Sequence, residues 1–91
     1  MTTGLDDIAR ETKMLIFFTA YRRLASRTRI GSQHVTDEDL KALEIDAIDD
    51  VCRTLAHQFR DVAGVDARLR HVAAETKTHF AEMRKAWAER H

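Results

Sequence analysis

Residues 36–62, TDEDLKALEIDAIDDVCRTLAHQFRDV, decide the fold class. Leu40, Leu43, Ala47, Ile48, Val51, Leu55, Phe59 and Val62 recur here mainly at steps of three and four. That is the period of a helix with one apolar face. Thr36 is a good N-cap, and Asp39 three residues later completes an approximate capping box. Asp37, Glu38 and Asp39 place negative charge at the positive end of the helix dipole. Ala63-Gly64 supplies a stop, so a helix is expected over about 37–62.

The same pattern continues on both sides. Downstream, Asp66 is an N-cap candidate, and Leu69, Val72, Ala73, Thr76, Phe80, Met83 and Trp87 form a second stripe over about 67–89. A connection of roughly two to four residues makes these helices antiparallel neighbours, each about 40 Å long at 1.5 Å per residue. Upstream, Met14, Phe17, Phe18, Tyr21, Leu24 and Ala25 define a stripe on a helix over about 5–28. Leu15 and Ile16 widen it until little polar face remains, as expected of a helix covered on more than one side. Arg22, Arg23, Arg27 and Arg29 complement the negative end of that helix, and Gly31 ends it. Ile45, Cys52 and Ala56 lie to one side of the central stripe and offer a second, narrower apolar face.

No proline occurs, the three glycines punctuate helical blocks, and no segment alternates with period two. The expected fold is therefore all-α: a hairpin of two long antiparallel helices plus an N-terminal helix, in one domain. At 91 residues and 44% apolar content, the chain carries more apolar surface than one thin hairpin hides. The three stripes are expected to form both the core and the seam of a homodimeric bundle.

Composition narrows the function classes. Basic and acidic residues number 15 each, which argues against a dedicated nucleic-acid binder. The charges are nonetheless segregated, with +3 over residues 1–36, −6 over 37–50 and +3 over 51–91. An acidic band between basic flanks suits antiparallel self-docking or a basic partner. Glu44, Asp46, Asp49 and Asp50 are its partner-binding candidates. A lone cysteine, Cys52, fits a reducing compartment. The longest apolar run, Met14–Phe18, is too short to span a bilayer, and the polar N-terminus does not read as a signal peptide. A soluble, cytoplasmic protein without membrane contact is expected.

Candidate chemistry is sparse. His71, Glu75 and His79 share a helix face at i, i+4 and i+8, but a structural zinc site needs four ligands; the row is read as polar, facing solvent or a partner. Cys52 reads as a small buried hydrophobe. The carboxylates at 44, 46, 49 and 50 lack an apolar pocket for acid–base work. Neither Ser26 nor Ser32 lies in a nucleophile elbow, and no glycine-rich phosphate loop is present. The helices look too long for a helix-turn-helix. No enzyme activity, metal or cofactor is expected.

The residues of the second and third blocks resemble TraM-type antiactivators, small helical proteins of quorum-sensing systems. Asp39-Leu40, Ile45-Asp46-Ala47-Ile48, Arg53 and Leu55 are similar to that family's second-helix pattern. Arg70-His71-Val72-Ala73-Ala74 with His79 is similar to its Arg-aromatic-aliphatic-x-Ala segment followed by His. The resemblance covers residues 36–83, about half the chain. The first helix, with its Met14–Phe18 run, departs from the family's shorter N-terminal part. The resemblance implies a homodimer of long antiparallel helices that sequesters a LuxR-type transcription activator and blocks its DNA binding. The alternatives from the residues are a helical assembly subunit of a larger complex or a small DNA-binding accessory protein.

Overall fold

The computed structural model describes residues 4–30 and 35–90, with side chains for all of these except 28–30. Three helices account for nearly all of it: α1 (Leu5–Ile30), α2 (Asp37–Gln58) and α3 (Val65–Arg90). No strand occurs among the described residues. Each helix touches the other two, forming a three-helix bundle of 45 × 27 × 20 Å. No helix among the described residues is long and apolar enough to cross a membrane.

α2 begins as its sequence dictates. The Thr36 hydroxyl accepts the Asp39 backbone N–H at 3.1 Å, and the Thr36 N–H donates to Asp39 Oδ2 at 3.2 Å. Both arms of the capping box are thus present. The expected inward stripe follows, with Leu43, Ala47, Ile48, Val51 and Leu55 buried and Leu40 half-buried.

The end of α2 differs from expectation. The helix stops at Gln58, not near residue 62, and the connection to α3 runs from Phe59 to Gly64. Phe59 leaves helical geometry at ψ 29°. Val62 N–H then bonds to Phe59 O, and Val65 N–H bonds to Val62 O. These tight turns let Phe59 and Val62 fold onto the core as half-buried side chains. Apolar spacing alone cannot tell a helical turn from a turn that buries the same residues. Gly64 has φ +82° and its carbonyl accepts the Arg68 N–H, so it opens α3 instead of closing α2. α3 accordingly starts at Val65, which is itself buried.

Pairings between side chains fix how the helices lie. Asp6–Arg68, Lys13–Glu75 and Phe17–Phe80 join α1 to α3, with both numbers rising together. Glu44–Arg84 and Cys52–Leu69 join α2 to α3, one number rising as the other falls. Leu69, Val72, Thr76 and Phe80 turn inward as expected. Met83 and Trp87, on the same stripe one and two turns later, are exposed.

The inward face of α1 requires a correction. The buried residues are Ile8, Ala9, Thr12, Ile16 and Ala20, with Leu5, Phe17 and Leu24 half-buried beside them. Met14, Phe18 and Tyr21, taken from the sequence as part of the stripe, are 67%, 58% and 72% exposed. The true seam alternates fully buried Ile8 and Ile16 with the small or polar Ala9, Thr12 and Ala20. Buried Thr12 and Thr76 each donate their hydroxyl to the carbonyl four residues back, at 2.6 Å, so neither leaves an unpaired polar group in the core. α1 also continues to Ile30, and the expected stop at Gly31 lies outside the described residues.

Candidate interaction surface

α1 is apolar on two opposite sides. Met14, Phe18 and Tyr21 step by four and three, so they too form one stripe. At about 100° per residue this stripe lies roughly 180° from the one containing Ile8, Thr12, Ile16 and Ala20. The inner stripe is spent on the bundle. The outer stripe faces solvent, and Leu15 is exposed at its margin. The Arg22 guanidinium lies 5.7 Å from the Phe18 ring centroid, a cation–π contact that covers only part of the ring. A helix with apolar stripes on opposite sides is normally covered on both.

The charged candidates are mostly engaged within the chain. Glu44 pairs with Arg84, their side chains only 12% and 19% exposed, and this pair fastens α2 to α3. Asp50 binds Arg23 at 2.5 Å, and Asp39 approaches Arg27 at 3.9 Å. Asp37 and Glu38 both reach Lys41, on the next turn of α2. The Thr36 backbone N–H, then its side chain and the more distant Arg27, hold the Asp39 carboxyl below the usual range. Of the acidic band, Asp46 and Asp49 remain exposed without an ion pair among the described residues. The band is therefore less free to meet a basic partner than its −6 charge implies. Sequence reasoning missed Arg84 as its main counterion. The available signal was its position directly after Met83, at the edge of the α3 stripe.

His71, Glu75 and His79 do share one exposed face of α3, beside a shallow groove of about 440 Å³ between α3 and α1. Glu75 accepts from Lys13 Nζ at 2.9 Å and lies 3.5 Å from His71 Nε2. The hydrogen bond and charge of Lys13, with smaller help from His71 and Arg68, hold its carboxyl below the usual range. The His79 ring meets Phe17 edge-on, with centroids 5.3 Å apart. Among the described residues no three or more His, Cys, Asp or Glu side chains are grouped as metal ligands. Cys52 is half-buried and its thiol contacts Leu69 O at 3.9 Å. Burial, reinforced by Asp49, pushes that thiol's pKa up and makes it a poor nucleophile at neutral pH. It and Ala56 pack, half-buried, against the core, while Ile45 remains exposed, so the three do not form one free face.

The residues that carry the antiactivator resemblance divide by burial. Ala47, Ile48, Leu55 and Val72 belong to the core, with Leu40 and Ala73 half-buried. Ile45, Asp46, Arg53, Arg70, His71, Ala74 and His79 are exposed on α2 and α3. No protein-family model, no curated protein and no solved structure matches this chain.

Proposed function

We propose that the chain is a non-catalytic homodimeric antiactivator, which binds a LuxR-type transcription activator and keeps it from DNA. The observation that carries the protein-binding, homodimeric part of this reading is the second apolar stripe of α1, with Met14, Phe18 and Tyr21 left in solvent by the chain's own fold. Large exposed apolar side chains at helical spacing are the usual mark of a surface completed by another protein. The target class comes from the resemblance on α2 and α3, whose pairings suit the antiparallel hairpin that it implies. Its exposed positions, Asp46, Arg53, Arg70, His71 and His79, are available to a target. Asp46 and Asp49 supply the free negative charge for a basic DNA-binding surface.

The test has two linked steps. The tagged chain is recovered from a proteobacterial host and its partner is identified by mass. The captured regulator is then assayed for DNA binding in a mobility-shift experiment with increasing amounts of the chain. Recovery of a LuxR-type regulator whose DNA complex disappears near equimolar chain supports the proposal. Recovery of an enzyme complex alone, or an unchanged DNA complex, overturns it.

A further inference from the structure

α1 sorts its charges by face. The side chains that reach other helices are engaged: Asp6 with Arg68, Lys13 with Glu75, Arg23 with Asp50 and Arg27 with Asp39. Arg10 and Glu11, exposed beside the outer apolar stripe, have no ion pair among the described residues. Arg22 stands exposed at the other end of the stripe over its own Phe18. The outer face therefore reads, from its N-terminal end, acidic and basic flanks, then Met14, Phe18 and Tyr21, then a basic residue.

We propose that this face is covered by a second copy of the chain, the two α1 helices packing antiparallel about a two-fold axis at the level of Ile16. The proposal rests on reading the face as protein-binding, as above, but not on the identity of any target. Glu11 and Arg22 stand on opposite sides of Ile16, five and six residues away. Their separation of eleven residues is close to three helical turns, so both lie on the same flank of the stripe. A two-fold axis perpendicular to the helices preserves flanks, so Glu11 of each chain comes level with Arg22 of the other. Arg10 and Tyr21 are also eleven residues apart, on the opposite flank. The same axis sets each Arg10 against the other chain's Tyr21 ring, a cation–π pair on that flank. One operation thus matches both flanks and stacks Met14 against Phe18 at the centre, as an isologous interface requires. Parallel packing instead brings Arg22 level with Arg22 and aligns the two helix dipoles.

The area is adequate for a modest dimer. With about 150–250 Å² for each aromatic side chain, the exposed parts of Met14, Leu15, Phe18 and Tyr21 come to roughly 400–500 Å² per chain. Two copies give roughly 800–1,000 Å², the lower edge of the size at which specific interfaces begin.

Sedimentation velocity of the full chain over a concentration series tests this. The expected limit is twice the 10.5 kDa chain mass. Phe18→Glu should give a monomer with unchanged helical circular dichroism, because Phe18 lies outside the buried core and its cation–π partner, Arg22, is on its own helix. Glu11→Arg and Arg22→Glu should each weaken association about five- to thirtyfold, since every substitution strikes two symmetric pairs. The double swap, which recreates both pairs across the axis, should return to within about threefold of the original. A monomer at every concentration, a dimer unaffected by Phe18→Glu, or a double swap no tighter than the single ones overturns the pairing. The mobility-shift assay judges the antiactivator reading separately.

Discussion

Ile16→Ala and Phe18→Ala, two substitutions on one helix, separate the inner face of α1 from the outer one. Ile16 is fully buried, whereas Phe18 is 58% exposed. Truncating Ile16 removes three carbons, about 2.4 kcal/mol at ~0.8 kcal/mol per buried methylene. The cavity left between α1 and its neighbours adds to this, for a total of about 3–4 kcal/mol. A domain of this size has roughly 5–14 kcal/mol of stability, so about a fifth to four fifths of it is lost. At about 4–8 °C per kcal/mol, the melting temperature should fall by ~12–30 °C. Phe18→Ala removes a larger side chain but opens no cavity, and alanine is the better helix former. Its effect should stay within about 0.5 kcal/mol. Urea unfolding followed by far-UV circular dichroism, at concentrations low enough to keep the chain monomeric, measures both. Equal costs for the two substitutions, or a harmless Ile16→Ala, would refute the assignment of faces.

Three further outcomes follow from the geometry. A double-mutant cycle on Glu44→Gln and Arg84→Met should give a coupling of about 1.5–3 kcal/mol, as for a charge-assisted hydrogen bond, against ~0.3–0.5 kcal/mol for exposed Lys41 and Glu38 on one helix. Equal couplings would show that the Glu44–Arg84 contact does not fasten α2 to α3. Gly64→Ala should cost about 1–2 kcal/mol, because φ +82° is strained for any side chain with a Cβ. Any Cβ there would meet Leu5 Cδ1 at 3.4 Å, close to ordinary contact, so backbone strain sets the difference and Gly64→Asn, which tolerates that region better, should cost less in the same melts. Thr36→Ala should cost ~1 kcal/mol at neutral pH. The Asp39 arm of that cap has a lowered folded pKa, so its contribution is complete above the ordinary value of 3.8 and fades as the pH falls through the lowered one. Melts of Asp39→Ala from neutral to strongly acid pH should show its cost shrinking only at the acid end; a pH-independent cost would contradict that arm of the capping box.

The sequence was most informative where each helix has a single apolar side. α2 reads correctly from its capping box through Leu55 because polar and apolar positions do not compete there. It misleads from Phe59 onward, since Phe59 and Val62 stay at helical spacing while the backbone has already turned. α1 was legible as a helix but not as to its direction of packing. The largest side chains, Met14, Phe18 and Tyr21, looked like the core, yet close approach to two neighbours favours Ala9, Thr12 and Ala20. Burial in a tight seam selects for fit as much as for hydrophobicity. The acidic band was legible as a charge run, but its neutralisation by Arg23, Arg27 and Arg84 depends on contacts across helices that local spacing does not encode.

The outer stripe of α1 is solvent-facing in one chain and, on the pairing proposed above, covered in the dimer. Peroxide oxidation of Met14 and Met83, followed by mass spectrometry, tests it most directly, because both are exposed in the single chain. In dilute solution both should oxidise rapidly. At concentrations that favour association, Met14 should become protected while Met83 stays reactive. Protection of Met14 already in the dilute chain, or equal reactivity of the two under both conditions, would contradict the account.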